Sequence, residues 1–175
     1  MMINRLMLPI LPAPELFTFP SSDGTETLHA ALYRPDARIH GPGPYPLICA
    51  VYGGPHVQRV NKSWSQCADM RAQRLRSLGF CVVKCDNRGS SRRGLKFESA
   101  ISRRLGRLEV LDQVAVVRQL TVRGVADPTR VGIYEVRRAG NVSDTCQKIH
   151  KSCGTCWTII GWTFLSRQSR SDCGL

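Results

Sequence analysis

Between Glu15 and Tyr134 short apolar runs alternate with longer segments of helical spacing. In "ELFTFPSSDGTETLHAALYRP", Phe17 and Phe19 alternate with polar residues, and Ser22-Asp23-Gly24-Thr25 supplies a turn. Leu28 to Tyr33 then returns until Pro35 stops it. This is the pattern of a β-hairpin, with glycine for the positive φ of its turn. "PLICAVYGG" (46–54), "FCVVKCD" (80–86) and "RVGIY" (130–134) are continuous apolar runs too short for helices. Such runs predict strands buried on both faces, as in a parallel sheet. Between the first two, Ala68, Ala72, Leu75 and Leu78 recur at helical spacing. Ser63-x-x-Gln66 offers a capping box at the start and Gly79 a stop. Between the second and third, Leu105 to Val122 places Val110, Val114 and Val117 on one face, flanked by Leu111 and Ala115. The expected class is therefore α/β: a hairpin followed by mostly parallel strands with helices on both faces.

After Tyr134 the pattern fails. "TCWTIIGWTF" is apolar, but no helix or strand schedule leads into it. Four of the 8 cysteines (Cys146, Cys153, Cys156 and Cys173) fall in this last part, whereas Cys49, Cys67, Cys81 and Cys85 lie in apolar or helical runs as small buried hydrophobes. The chain therefore divides into a linker remnant at 1–14, a sheet-forming domain at 15–134 and a divergent tail at 135–175. No apolar stretch is long enough to span a bilayer, and "MMINRLMLPILPAP" is broken by prolines without a cleavage site. A reducing, cytoplasmic setting is expected, which makes chance matches of the glycosylation triplets at Asn61 and Asn141. The net charge of +12 is spread along the chain, since 6 of the 25 Lys+Arg and 3 of the 13 Asp+Glu lie from Glu135 onward. The densest run is Arg88, Arg92, Arg93, Lys96, Arg103, Arg104 and Arg107. It reads as a solvated loop and helix face; no nucleic-acid motif accompanies it.

Three stretches carry a resemblance. They are Val51-Tyr52-Gly53-Gly54-Pro55, Cys85-Asp86-Asn87-Arg88-Gly89-Ser90, and Asp127-Pro128-Thr129-Arg130-Val131-Gly132-Ile133-Tyr134. In this order and spacing they resemble the α/β-hydrolase domain of the prolyl oligopeptidase family of serine peptidases. "VYGGPHVQRVNKSW", "DNRGSSRRGLKFE" and "LEVLDQV" are most similar to the dipeptidyl peptidase IV branch, nearest its cytosolic members and their plant relatives. The resemblance implies proteolysis after a penultimate Pro or Ala, by a serine at a Gly-x-Ser-x-Gly elbow with a later Asp and His. It implies a peptide substrate, no cofactor and a preceding propeller. It also implies that Tyr52 helps form the oxyanion hole, and that Asn87-Arg88-Gly89 shapes the pocket floor.

The rest of that machinery is not in this chain. Gly-x-Ser-x-Gly occurs nowhere, and Glu135-Val136-Arg137-Arg138 stands where it would begin. Ser143, Asp144 and His150 have the letters of a triad without the elbow. Cys153-Gly-Thr-Cys156 with His150 has the spacing of half a zinc knuckle, but the second pair is missing. A retained intron, a frameshift or a misplaced exon boundary would produce such an abrupt change. The expected protein is a partial hydrolase fold, cut at the nucleophile strand and catalytically inactive. It would be marginally stable, with an uncovered edge on that strand. The alternative is a non-catalytic interaction protein, binding full-length relatives or polyanions through Arg88–Arg107.

Overall fold

A computed structural model describes residues 11–52, 55–135, 156–160 and 163–168. The predicted hairpin is β1 (Glu15–Pro20) and β2 (Thr27–Tyr33), paired antiparallel from Glu15↔Leu32 to Pro20↔Thr27. Asp23 closes its turn by accepting from Ser21 Oγ at 2.7 Å and Thr25 Oγ1 at 2.8 Å. A one-turn helix follows, α1 (Ala37–His40), and then β3 (Tyr45–Val51). Next come α2 (Trp64–Cys67), α3 (Met70–Ser77), β4 (Cys81–Asp86), α4 (Leu95–Ser99), α5 (Leu108–Val122) and β5 (Ala126–Glu135). Two further strands are β6 (Cys156–Ile160) and β7 (Thr163–Gln168).

One seven-stranded sheet results, in the order β1-β2-β4-β3-β5-β6-β7. The β3–β4, β3–β5 and β5–β6 ladders are parallel. β1–β2, β2–β4 and β6–β7 are antiparallel, so the sheet is more mixed than the apolar runs predict. Side-chain alternation along the strands separates two faces. Leu47, Cys49, Val51, Val83, Cys85, Val131 and Ile133 pack with Val114, Val116, Val117 and Leu120 of α5. Their sequence neighbours Ile48, Ala50, Val82 and Tyr134 pack with Ala72 and Leu75 of α3. Helices thus cover both faces, as the strand–helix alternation requires.

Three expectations are corrected. The helix expected from the capping box is split: Ser63 makes no side-chain cap bond, and Asp69 instead caps α3 by accepting from Ala72 N at 3.0 Å. Asp69 wins because its carboxylate also meets Lys84, at 2.6 Å. The Arg-rich stretch contains a helical turn of its own, α4. The outer side of β5 is not left open, because β6 pairs with it in parallel from Val131↔Cys156 to Tyr134↔Ile159. Trp157, Thr158, Ile159 and Ile160 are aromatic or β-branched, the residue types that suit a pleated ladder, and Gly154 and Gly161 flank the run.

Candidate functional site

The carboxyl ends of β3, β4 and β5 converge, which is where open α/β sheets place their chemistry. Ala50 lies opposite Tyr134 and Val51 opposite Glu135, so Tyr52 leaves β3 at the level where β5 ends. On the other side Cys49 pairs with Val83, and three residues beyond each stand Tyr52 and Asp86. Tyr52 is partly buried.

The loop after Tyr52 is held by buried charge. Asp86 is fully buried and accepts from Arg59 N at 2.7 Å and Val60 N at 3.1 Å. Its other oxygen accepts from Arg93 Nη2 at 2.8 Å, which also reaches the Val60 carbonyl at 3.1 Å. Arg59 Nη1 donates to the Ala50 carbonyl at 3.1 Å, two residues before Tyr52. Burial pulls the Arg59 guanidinium below its usual range. Gln66 Nε2 holds the Arg59 carbonyl at 2.7 Å, and Tyr33 Oη donates to the Gln66 carbonyl at 2.7 Å. Lys84 Nζ donates in turn to Tyr33 Oη at 3.0 Å. Burial draws the Lys84 ammonium down while Asp69 pulls it back up. Half-burial alone would raise Asp69, but its bonds from Lys84 and the Ala72 amide bring it below the ordinary carboxylate range. Arg71 lies over the Tyr134 ring at 5.3 Å, and burial pushes the Tyr134 phenol up to about 12.

A second brace starts at Arg88, just past β4. Its Nε and Nη2 take both oxygens of Asp112 on α5, at 3.0 and 2.8 Å, and its main-chain N–H adds a third bond at 3.0 Å. Nη1 reaches Asp23 in the hairpin turn at 2.6 Å. That pair holds the Asp23 carboxyl far below its usual range, Arg88 being the main cause. Asn87 Oδ1 accepts from Gln113 Nε2 at 3.1 Å. Gly89 turns with φ +95°, accepts from His56 N at 3.1 Å and donates to the Phe97 carbonyl at 2.9 Å. Asn87-Arg88-Gly89 therefore ties β4, α5, the hairpin and the loop after β3 together. His56 Nδ1 also pairs with Glu98 Oε1 on α4.

The basic run is not a uniformly solvated face. Arg88 is buried in its pairs, Arg93 is tied to Asp86, and Lys96 bridges Glu26 at 2.8 Å. Arg92, Arg103, Arg104 and Arg107 remain exposed. Ser143, Asp144, His150 and Cys153 lie outside the described residues, and of Cys156 only the backbone, at the start of β6, is described. Among the described residues no group of three or more His, Cys, Asp or Glu could hold a metal ion. No described helix is long and apolar enough to cross a membrane. Sequence reasoning missed Arg59, Asp69, Lys84 and Asp112. One signal was present: a lysine inside the apolar run "CVVKCD" must find a partner or stay unburied.

The strand order and the hairpin on the sheet edge define part of an α/β-hydrolase. The model of the prolyl oligopeptidase family matches residues 66–134. Human "Dipeptidyl peptidase 8" is 42% identical over 137 residues, covering 78% of this chain and 15% of that protein. "Dipeptidyl peptidase 4" of Trichophyton equinum is 36% identical over 92 residues, 51% of this chain and 12% of the relative. A solved chain described as a dipeptidyl aminopeptidase IV from Bacteroides ovatus superposes with a TM-score of 0.64 at 40% identity, covering 72% of this chain and 18% of its own length. Residues 66–134 thus resemble the prolyl oligopeptidase family, and the chain spans about 15% of the length of the first of these relatives.

Proposed function

We propose that residues 15–134 are the oxyanion-side part of a serine-type dipeptidyl peptidase domain, with Tyr52 as oxyanion donor, and that this chain does not hydrolyse peptides. The observation that carries the reading is Glu135-Val136-Arg137-Arg138, which follows the nucleophile strand in place of the serine elbow. Residues 135–175 then replace family sequence, as a splice or frameshift product would, and residues 1–14 are a linker. In intact relatives the substrate is a peptide read at a penultimate Pro or Ala. Loss of one oxyanion donor lowers kcat about 10²–10³-fold, but loss of the nucleophile lowers it about 10⁶-fold. Retaining Tyr52 without a serine therefore leaves no useful turnover. A cytoplasmic location suits the thiols of Cys81 and Cys85, which lie buried among apolar strand residues.

Incubation with a fluorophosphonate probe and an Xaa-Pro fluorogenic substrate tests the reading. Neither labelling nor turnover is expected. Both appearing, and both vanishing with one Ser→Ala change, would overturn it. Transcripts of the locus test the origin of the tail: longer messages reading from Tyr134 into a Gly-x-Ser-x-Gly support replacement. A second reading, polyanion binding, rests on the four exposed arginines, Arg92, Arg103, Arg104 and Arg107. Four phosphate contacts would give a log–log salt slope of about −4 with duplex DNA, and a flat salt response removes that reading.

A further inference from the structure

We propose that Ser77 is a phosphorylation site for a protein kinase that selects arginine three residues before the serine. Among the described residues three hydroxyls follow an arginine by three positions: Ser77 after Arg74, Ser91 after Arg88 and Thr121 after Arg118. Arg88 is buried in its pairs with Asp112 and Asp23, so a kinase cannot read it. Thr121 is half-buried in the last turns of α5, its hydroxyl donating to the Val117 carbonyl at 3.0 Å. Ser77 and Arg74 are both exposed. Ser77 is the last residue of α3, and Gly79 follows it with φ +90°. Helix ends fray, and Ser77 becomes accessible to a kinase cleft once the bonds from Leu78 N and Gly79 N to the Arg74 and Arg76 carbonyls open.

The surroundings suit the product. Arg76 Nε donates to the Arg34 carbonyl at 2.5 Å, and Arg38 pairs with Asp36 at 2.7 Å. Arg76 also acts on Asp36, and Arg34 pairs with Glu15 at 3.1 Å. Arg34, Arg38 and Arg76 thus stand with two carboxylates, Glu15 and Asp36, and Arg74, whose carbonyl accepts from Ser77 Oγ, brings the surplus to two positive charges. A phosphoserine carries about −1.5 to −2 at neutral pH, which matches that surplus. The negative end of the α3 dipole opposes it, but Arg74 and Arg76 already stand in that last turn. In the transfer, Ser77 Oγ forms a bond to the γ-phosphorus of Mg-ATP. The bond from that phosphorus to the β–γ bridging oxygen breaks, ADP leaves, and the hydroxyl proton passes to the kinase base. The Ser77 Oγ bond to the Arg74 carbonyl, now 2.8 Å, is lost, and the phosphate draws Arg76 off the Arg34 carbonyl.

The test uses the folded full-length chain, Mg-ATP and a purified arginine-directed kinase of this class. One phosphoryl group is expected, mapped to Ser77 by peptide mass analysis. It should be absent from Ser77→Ala, and Arg74→Gln should lower its rate at least tenfold with the far-UV CD spectrum unchanged. No incorporation, incorporation that persists in Ser77→Ala, or incorporation only after unfolding in urea would overturn the proposal.

Discussion

Replacing Arg88 by methionine removes the cation that joins β4, α5 and the hairpin. The cost follows from what is left behind. Asp112 is fully buried and would keep a single partner, the main-chain N–H of residue 88. Two charge-assisted bonds to its oxygens disappear, each worth about 1.5–3 kcal/mol. Breaking one side of a buried ion pair costs about 3–5 kcal/mol, so the two routes agree. The Asp23 contact adds at most about 1 kcal/mol, because the Asp23 side chain is 45% exposed. With a urea slope of about 1–3 kcal/mol/M, the midpoint should fall by about 2 M. Far-UV CD is the probe, since Trp64 is 79% exposed and reports the core poorly. The decisive variant is Arg88→Met with Asp112→Leu. With both charges gone no buried carboxylate is orphaned, and most of the loss should return. A single variant within about 0.5 M of the parent by this urea slope, or a double no better than the single, would refute the reasoning. Should the single variant fail to fold, folding of the double still decides.

Other substitutions and pH test neighbouring steps. Gly89→Ala should destabilise by about 2–5 kcal/mol, from strain at φ +95° and from a Cβ placed 2.1 Å from Ile101 Cδ1. Adding Ile101→Ala should relieve the clash but not the strain, as paired urea titrations would reveal. Asp69→Ala should cost about 3–5 kcal/mol, because Lys84 would be left buried without its carboxylate and α3 without its cap. Lys84→Met should cost far less, since solvent reaches Asp69 and Met fills the space; equal losses would contradict this. Alkaline pH should destabilise the fold. Burial pushes Cys81 up to about 12 from an ordinary value of 9.0, and raises Cys85 and Tyr134 as well. A raised folded-state pKa contributes stability that is whole below the unfolded value and drains as pH rises. The loss therefore begins near pH 9, at up to about 1.4 kcal/mol per pH unit per group. The lowered Lys84 works oppositely below 10.5, but one amine faces three acids. Urea midpoints that stay level from pH 8.5 to 10.5 would show that the thiols are not held protonated by the fold.

Much of the sheet is legible because burial on both faces writes itself locally. "LICAV" and "CVVKCD" can satisfy their apolar side chains only inside a sheet, and the turn at Asp23-Gly24 has a local cause. Tyr52 is legible only through resemblance, since one aromatic residue at the end of a strand has no signature of its own. The braces were not legible. Arg88 meets Asp112 across 24 positions and Asp23 across 65, and no periodicity records such pairs. The same blindness turned the basic run into a solvated face. The helix start went wrong for a related reason: Ser63 had the right spacing, but Asp69 had a distant lysine. β6 was missed although the open edge on β5 was expected, because its ladder joins Val131 to Cys156 and no local pattern records so distant a pairing.

The braces also decide what would survive the replacement proposed from Glu135 onward. Arg59, Gln66, Asp69, Lys84, Asp86, Arg88, Arg93 and Asp112 all lie before it, and so does each bond described between them. The loop that follows Tyr52 is thus anchored by groups that owe nothing to the nucleophile segment. If the reading of Tyr52 is right, oxyanion-side geometry and nucleophile supply are separable parts of the domain. Restoring a Gly-x-Ser-x-Gly sequence alone would then meet a prepared partner on β3, and the remaining deficit would be the Asp and His that orient the proton transfer. Such a chain should label with fluorophosphonate no faster than a free serine. Rapid labelling of a chain still lacking both residues would mean that the strand-end environment activates the hydroxyl by itself, a role the present arrangement does not provide.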